Sequence, residues 1–449
     1  MTDVTMLSGR MDWPAILLPR TAAADPMDLD AATAAGAFAG LHRALRDLGA
    51  TGTTVEIGQS GLRGRGGAGY PAADKWRAAS ETPEAGRIVV ANGYGADPST
   101  STDQALLEQN PYAVIEGLAI VGFAIGADEA IIAVRTDAGA TIRTLEAALA
   151  AAQDAGFVGP DALGPGHRLD VTIRTVQGAY LLGEETILLK ALEGKRGQPE
   201  QRPPYPTTHG LRGLPTVVHN VQSLAAIPWI IVNGAEAFAK IGPAECPGTI
   251  LVQVRGPEGS GIAEIPMGTR LRDVVALAGS MPAGRSLKAV LVGGPSGGIL
   301  PPDALDIPYT FSALRAAGAH VGSGSVIVAD DRACIVDLAR VLTRFCADEA
   351  CGKTIPCRIG TRRLSEIGDR LAAGTSRAGD LDLITDLAAD IVGSALCDHE
   401  RLTTLPLMSG MRYFRAELDE HLERGSCPAG VCHPIAMAAS ATHRGPDLG

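Results

Sequence analysis

The chain has 449 residues, 46% of them hydrophobic and 20% charged, and a formal net charge of −11 at pH 7. At roughly 100–200 residues per domain, this length predicts two to four domains. The composition is typical of a folded protein rather than a disordered one. The net acidity argues against broad binding to nucleic acid or to anionic membranes, but it leaves room for a local basic pocket that binds a phosphorylated cofactor.

No apolar segment reaches the roughly 18 residues that a membrane helix needs. The longest, residues 113–127, contains Glu116 and is predicted to be a buried core helix. The first residues lack a basic segment followed by an apolar one, so no export signal is expected. The cytoplasm is therefore the predicted location.

The first part of the chain predicts an α/β layer. Residues 1–60 are rich in Ala and Asp and are predicted to be a lead-in segment with a helix near residues 31–48. Glycine-rich loops and short apolar elements follow. Residues 88–91 and 129–134 are predicted strands, and residues 114–125 a helix. Strand–helix–strand order indicates parallel pairing.

A smaller α+β unit follows. Residues 249–254 and 262–266 predict the two strands of a hairpin, residues 271–278 a short helix, and residues 287–293 another strand. This order resembles a β-grasp domain.

From residue 333 the periodicity becomes helical. Three segments, near residues 335–345, 361–374 and 381–396, place apolar residues at i, i+3 and i+4 and predict a helical bundle. The small polar residues at the end, 441–449, are expected to fray.

Cysteines are concentrated near the C-terminus, where six of the eight fall after residue 345. A reducing compartment argues against structural disulfides, and such crowding indicates metal ligation. Cys351 and Cys357 are closely spaced and Cys397 follows forty residues later, as in chains that hold iron–sulfur clusters. The alternative is a set of buried free thiols.

A second candidate metal site lies near the C-terminus, where a histidine and two cysteines are closely spaced. With one more cysteine, for which Cys346 is the candidate, they would form a tetrahedral zinc site. The alternative is a pair of unrelated free thiols. The three residues are His421, Cys427 and Cys432.

The glycine-rich segment at residues 61–71 is a candidate phosphate loop. Closely spaced glycines let backbone N–H groups approach phosphate oxygens, and Arg63, Arg65 and Lys75 can add positive charge. The spacing matches the dinucleotide fingerprint, but no clear strand precedes it and Pro71 follows, so it is weak as a Rossmann signature. A phosphate loop and a structural turn both stay open.

Two adjacent carboxylates, Glu184 and Glu185, follow the glycine-containing segment at residues 178–183. Beside a flavin, their negative charge would disfavour the anionic reduced forms and tune its potential. Alternatively, they stabilise a helix N-terminus through the macrodipole.

Five segments occur in order along the chain: GLRGRGGAGYPAADKW, GAYLLGEETILLKALEGKRGQP, RPPYP, GLPTVVHNVQSLAAIPWII and CGKTIPCRIG. Together they resemble the flavin- and NADH-binding subunit of respiratory complex I and the diaphorase subunits of NAD-linked formate dehydrogenases and hydrogenases. The resemblance implies an α/β protein in five parts. These are the lead-in (1–60), a Rossmann-like FMN- and NADH-binding domain (61–243), a β-grasp domain of the soluble-ligand-binding (SLBB) type (244–332), a helical iron–sulfur domain (333–440) and a tail (441–449).

The resemblance also implies hydride transfer between NAD(H) and FMN, with no side chain acting as a catalytic acid or base. It implies a [4Fe–4S] cluster, a thioredoxin-like [2Fe–2S] partner subunit and a catalytic subunit that donates or accepts electrons. The matching FMN-pocket positions are Gly64, Gly66, Lys75, Asn92, Tyr180, Gly183, Glu184, Glu185 and Asn220. Those that match dinucleotide contacts are Tyr70, Asp97, Arg202 and Tyr205.

The chain departs from the family pattern at several of these positions. Tyr94 and Gly95 replace an acidic pair, and His219 replaces an asparagine. Thr354 stands where the second cluster cysteine belongs, and a threonine alkoxide is a poor iron ligand. A cluster with another fourth ligand, a three-iron cluster and no cluster all stay open. Cys346 is one candidate substitute.

These departures leave an alternative function open. The chain would then be a divergent paralogue that serves as a structural or docking subunit with lost or altered cofactor binding. Altered nucleotide or deazaflavin specificity is a third possibility.

Overall fold

A computed structural model describes residues 5–7, 12–19, 25–83 and 86–432, so the predicted tail at 441–449 lies outside the described residues. The α-helices are α1 (Leu29–Ala34), α2 (Ala39–Arg43), α3 (Gly49–Ser60), α4 (Ala72–Ser80), α5 (Thr102–Gln109), α6 (Pro111–Ile125), α7 (Gly139–Asp154), α8 (Glu185–Leu192), α9 (Val221–Asn233), α10 (Ala235–Ala239), α11 (Leu271–Ala276), α12 (Phe311–Ala316), α13 (Ile335–Asp348), α14 (Thr361–Ala372), α15 (Asp380–Gly393), α16 (Asp398–Leu402), α17 (Leu405–Tyr413) and α18 (Arg415–Glu423).

The strands are β1 (Ile88–Gly93), β2 (Glu129–Arg135), β3 (Asp170–Val176), β4 (Thr216–Asn220), β5 (Thr249–Arg255), β6 (Ser260–Pro266), β7 (Leu287–Val292), β8 (Gly298–Leu300) and β9 (Ser325–Asp330). Short 3₁₀ turns occupy Tyr180–Gly183, Leu211–Gly213, Gly294–Ser296 and Pro302–Ala304, and π-helical turns occupy Ala44–Leu48 and Pro356–Gly360.

The first sheet contains four parallel strands in the order β3-β2-β1-β4. The predicted strands at 88–91 and 129–134 and their parallel pairing are confirmed, because they lie in β1 and β2. Parallel neighbours need long crossovers, which α5, α6 and α7 provide. Strands β2 and β3 are added on one side of β1, and β4 is then added on the other side. The order in which strands are added therefore reverses between β1 and β4.

Helix α6 is the apolar segment predicted to be a core helix, and nearly all of it is buried. It packs against α9 so closely that a Cβ on Gly117 would lie 2.2 Å from the carbonyl oxygen of Leu224. Glycine at this position therefore sets the distance between the two helices. Among the described residues, no helix combines the length and apolar character needed to cross a membrane.

The prediction of one continuous helix near residues 31–48 is wrong. The segment forms α1, α2 and a π-helical turn, and Phe38 between the first two has a positive φ of 65°. Helix α3 was not predicted, because its glycines and threonines have weak helix propensity. Burial of Ile57, which is 1% exposed, shows that packing stabilises this helix.

The second sheet has the order β6-β5-β9-β7-β8. The predicted hairpin is confirmed by the antiparallel β5–β6 pair, and the strand at 287–293 corresponds to β7. Strand β9 was not predicted, and it occupies the centre of the sheet, parallel to β5 and antiparallel to β7.

The C-terminal part is helical from α13 to α18, as the periodicity predicted. Its apolar faces pack together and against Leu291 of β7 and Ile299 of β8. The helical part therefore shares a core with the second sheet.

Candidate functional site

The carboxyl ends of β1 and β4 form the switch point of the first sheet, the place where open α/β sheets bind ligands. Asn92 and Asn220 are register partners there. Asn92 Nδ2 donates to the carbonyl of Gly183 at 3.2 Å. A Cβ on Gly66 would lie 3.4 Å from Cβ of Asn220, and the backbones of Gly66 and Gly183 are exposed. Four of the predicted FMN-pocket residues thus meet at one open edge.

Asn220 is held in a fixed orientation by residues that sequence analysis missed. Its Oδ1 accepts from the backbone N–H of Gln222, which caps α9, and its Nδ2 donates to Asp103 at 2.7 Å. The Gln222 side chain also donates to Asp103. Burial raises the pKa of Asp103 to about 6, although both amide donors oppose this shift. No motif marks Asp103 in the sequence.

The glycine-rich loop follows helix α3 rather than a strand, so it does not have the Rossmann strand–loop–helix context. The expectation that Arg65 offers charge to a phosphate is wrong. Its guanidinium is 1% exposed and donates to the carbonyls of Thr249, Pro247 and Arg63. Burial lowers the pKa of Arg65 to about 10. Arg65 instead ties the loop to the start of β5.

Arg63 has a similar anchoring role. It donates to the carbonyl of Glu245 at 2.6 Å and to that of Gly69 at 3.0 Å. Gly64 lies inside the same loop, where its N–H donates to the carbonyl of Tyr70 at 2.8 Å. The loop is therefore a rigid platform beside the switch point.

Four side chains of alternating charge form a chain of ion pairs between helix α4, which follows the glycine-rich loop, and the start of α8. Lys75 Nζ lies 2.6 Å from Glu185, and Arg202 pairs with both Glu185 and Glu184 at 3.0 and 2.5 Å. Glu184 also caps α8 by accepting from the backbone N–H groups of Thr186 and Ile187. The helix-terminus interpretation of the two glutamates is thus confirmed.

The two glutamates differ electrostatically. Burial raises the pKa of Glu184, although Thr186 and Arg202 oppose it. Burial acts in the same direction on Glu185, but Lys75 and Arg202 outweigh it and lower the pKa of that carboxyl. A half-buried negative charge is therefore compensated by Lys75, whose Nζ also donates to the carbonyl of Val218 in β4 at 3.1 Å.

Tyr180 connects this site to the rest of the molecule. Its hydroxyl lies 3.0 Å from Ser296 Oγ and its N–H donates to Glu349 at 2.9 Å. Its ring meets the ring of His399 edge-on, with centroids 5.6 Å apart. Burial raises the pKa of the phenol. Tyr180 therefore lies between the first sheet and the cysteine-rich helices.

The predicted dinucleotide contacts differ in accessibility. The rings of Tyr70 and Tyr205 are 53% and 55% exposed, so both are free to stack on a planar ligand. The Arg202 side chain is half-buried. Asp97 is buried and accepts from Ser99, and burial raises its pKa. Its contact with a dinucleotide stays a prediction.

Two departures from the family pattern are accommodated by packing. Tyr94 packs into the apolar cluster that includes Leu182 and Val176. His219 is buried, and its Nε2 accepts from the indole N–H of Trp76 at 2.7 Å. Burial lowers the pKa of His219 to about 3, so the ring is neutral at physiological pH.

The two segments that carry the predicted cluster cysteines are joined by a hydrogen bond. Thr354, which lies between Cys351 and Cys357, donates to the carboxylate of Glu400 at 2.6 Å, and Glu400 lies three residues after Cys397. Burial, followed by repulsion from Glu400, Cys397 and Cys351, raises the pKa of Cys357 to about 12. Three cysteine thiols are donors that suit an iron–sulfur cluster, and a threonine–carboxylate pair stands at the sequence position of the missing cysteine.

The second candidate metal site is completed by Cys334. Ligand atoms of Cys334, His421, Cys427 and Cys432 all lie within 4.8 Å of one another. His421 Nδ1 bonds the carbonyl of Glu417 at 2.8 Å, which leaves Nε2, 3.5 Å from Cys334 Sγ, for a metal. Three thiols and an imidazole fit tetrahedral zinc.

The thiols of this donor set differ in acidity, and burial raises the pKa of Cys334 and Cys432. Burial would raise the pKa of Cys427, but N–H groups of Cys432 and Val431 reverse the shift and lower it to about 6. The candidate Cys346 is wrong as the fourth ligand. It follows Cys334 by three turns of α13, roughly 18 Å at 1.5 Å per residue, and its thiol faces the carbonyl of Pro295.

Comparison with known proteins agrees with this geometry. Residues 57–229 match the Nuo51 FMN-binding domain, and residues 337–421 match the NADH-ubiquinone oxidoreductase-F iron-sulfur binding region. The chain is 38% identical over 414 residues to the NADP-reducing hydrogenase subunit HndC of Solidesulfovibrio fructosivorans, covering 91% of this chain and 83% of HndC. The chain belongs to the family of NADH-quinone oxidoreductase F subunits and their hydrogenase relatives.

Two further relatives show how far the likeness extends. An NADH-quinone oxidoreductase F subunit of Rhizobium meliloti is 38% identical over 400 residues, which is 88% of this chain and 94% of that protein. A crystal structure of NAD⁺-reducing [NiFe]-hydrogenase in the H2-reduced state superposes with a TM-score of 0.78 at 34% identity. The match covers 90% of this chain and 67% of that one. This member of the family is therefore an oxidoreductase subunit with an FMN-binding domain and a 4Fe–4S binding region.

Proposed function

We propose that this chain moves a hydride between NAD(H) and FMN at the switch point and passes electrons singly through its iron–sulfur region to partner subunits. The observation that carries the proposal is that Asn92 and Asn220 meet the exposed backbones of Gly66 and Gly183. Lys75 Nζ lies close to this edge, because it donates to the carbonyl of Val218, two residues before Asn220. When bound, FMN accepts two electrons as a hydride and releases them one at a time.

The chain's own residues position the ligands and set the electrostatics. Lys75 and the backbone N–H groups of the glycine loop supply positive charge toward an anionic phosphate. Glu184 and Glu185 keep negative charge beside the flavin. Tyr70 and Tyr205 present exposed rings for stacking on the dinucleotide. No residue is assigned a catalytic proton transfer.

Partner subunits complete the electron path. The relatives are subunits of NADH-quinone oxidoreductases and hydrogenases. A thioredoxin-like [2Fe–2S] subunit and a catalytic subunit are the proposed partners here, in a hydrogenase- or formate-dehydrogenase-type complex. Ile355 and Ile359, exposed to 65% and 47%, lie in the segment that carries Cys351 and Cys357 and offer an apolar docking surface.

Nothing supports a docking-only paralogue. Location in the cytoplasm stays a prediction.

The Cys334–His421–Cys427–Cys432 group is proposed to hold structural zinc. It connects the start of α13 to α18 and to the segment after α18, because Cys334 lies at the first, His421 in the second, and Cys427 and Cys432 in the third. The domain borders at 61, 244 and 333 also stay proposals.

The visible spectrum of the purified full chain, measured anaerobically with and without NADH, tests the flavin proposal. We expect a flavin spectrum that NADH bleaches. Lys75→Met should weaken FMN binding roughly tenfold or more, since a hydrogen bond to a charged group contributes about 1.5–3 kcal/mol. Arg77→Met is the control, because Arg77 lies on the same helix, is half-exposed and pairs with Asp74. A wild-type chain that takes up no FMN would contradict the proposal.

A further inference from the structure

The fourth corner of the cysteine site contains a buried carboxylate. Glu400 lies in α16, three residues after Cys397, and is 1% exposed. Its Oε1 accepts from the hydroxyl of Thr354 at 2.6 Å, and its Oε2 accepts from the backbone N–H of Leu396 at 2.9 Å. The carboxylate is thus fixed beside the residue that replaces a cluster cysteine.

Glu400 lacks a positive partner. In the part of the chain that the structure describes, no Lys or Arg nitrogen and no His nitrogen forms an ion pair with it, and both of its hydrogen-bond donors are neutral. Its neighbour Arg401 pairs with Asp398 instead. A buried carboxylate costs several kcal/mol unless a cation compensates it.

The Glu400 carboxylate joins the two segments that carry the cysteines. One of its donors, Thr354, lies between Cys351 and Cys357, and the other, Leu396, immediately precedes Cys397. Thiolates and a carboxylate are all anionic when they bind a metal, so positively charged iron bound between these segments would compensate them.

We propose that the Glu400 carboxylate is the fourth protein ligand of the cluster held by Cys351, Cys357 and Cys397, and that Thr354 positions it. This inference rests on the proposed function, because it takes the iron–sulfur region to be loaded. Carboxylate oxygen is a harder ligand than thiolate and suits iron less well. The iron at this corner should therefore be lost more easily on oxidation than the other three.

The neighbouring His399 is the rival ligand. Its Nε2 bonds the carbonyl of Cys346 at 3.1 Å, and its buried Nδ1 has no hydrogen-bond partner among the described residues. The ring is held against Tyr180, however, whereas Glu400 directly contacts Thr354 at the vacant cysteine position. The position of the missing ligand thus favours Glu400.

The test compares iron and sulfide content and the electron paramagnetic resonance spectrum of the full chain after anaerobic reconstitution. Glu400→Gln should lose about one quarter of the bound iron and give the signal of an oxidised three-iron cluster. Asp398→Asn, on the same helix but exposed, should keep the full content. The double variant Thr354→Cys with Glu400→Gln should regain the lost iron, because it restores a thiolate at this corner.

Several results would overturn the inference. These are full iron content and an unchanged spectrum in Glu400→Gln, loss of one iron in His399→Leu but not in Glu400→Gln, and a wild-type chain that binds no cluster. Thermal unfolding of each variant separates loss of iron from loss of fold. NADH bleaching of the flavin is recorded on the same samples. Failure of bleaching contradicts the flavin part of the proposed function, and a wild-type chain without a cluster contradicts its iron–sulfur part. Full iron content in Glu400→Gln with normal bleaching contradicts only the ligand assignment.

Discussion

Glu116 should make the stability of the protein depend on pH in a predictable direction. It lies in the apolar helix α6, is 2% exposed, and accepts from the backbone N–H groups of Phe38 and Leu41. Burial raises its pKa from 4.5 to about 7, although these backbone donors oppose the shift. At roughly 1.36 kcal/mol per pKa unit, this corresponds to about 3 kcal/mol.

The sign follows from the pKa difference between the two states. The unfolded chain ionises Glu116 near pH 4.5, whereas the folded chain keeps the proton until about pH 7. The favourable contribution of the protonated carboxyl is therefore fully present below pH 4.5 and is lost as the pH rises through about 7. Glu116→Gln cannot ionise, so its stability relative to wild type should rise by about 2–3 kcal/mol between pH 5 and pH 8.

Urea unfolding of both proteins at pH 5 and pH 8, followed by circular dichroism, measures this difference. Glu146→Gln on α7 is the control, because it removes an exposed carboxylate from a neighbouring helix. Equal pH dependence of wild type and Glu116→Gln would refute the conclusion that Glu116 is forced to ionise inside the core.

Further predictions concern the two sites. Cys334→Ser should lose most of the bound zinc, measured by atomic emission, whereas Cys346→Ser should keep it, because only Cys334 lies among the other ligands. Equal loss in both variants would contradict the assigned ligand set. Glu184→Gln should raise the flavin midpoint potential by an amount on the order of tens of millivolts, since a nearby negative charge is removed. Spectroelectrochemical titration measures the potential, and an unchanged value would exclude a role of Glu184 in tuning it.

Much of the architecture could be predicted because it follows from local patterns. The buried strands β1 and β2 are short apolar runs, and the C-terminal helices repeat apolar residues with helical spacing. Helix α3 and strand β9 were missed for the opposite reason. The first has poor intrinsic propensity and depends on packing, and the second is recognisable only from its partners in the sheet.

The functional residues divide in the same way. Residues in dense motifs, such as Asn92 and Asn220, could be proposed from the sequence, and the structure places these two side by side, but their role in cofactor binding stays a prediction. Cys334 could not be distinguished, because it lies far in sequence from His421 and only folding brings them together. Arg65 was misassigned, because sequence shows charge but not burial, and a fully buried guanidinium is satisfied by carbonyls rather than by a phosphate.

The departures from the family pattern argue for a maintained site rather than an eroded one. If the function had been lost, selection would no longer favour compensating changes around a replaced residue. Replaced polar groups would then stay buried without hydrogen-bond partners, at a cost in folding free energy. Here two replacements have found partners, because His219 accepts from Trp76 and Thr354 donates to Glu400. The Glu400 carboxylate itself has no cationic partner among the described residues, and a bound iron atom would compensate it. If Glu400 binds iron as proposed, the chain keeps a cation site at the position where the docking-subunit alternative predicts that the site is lost.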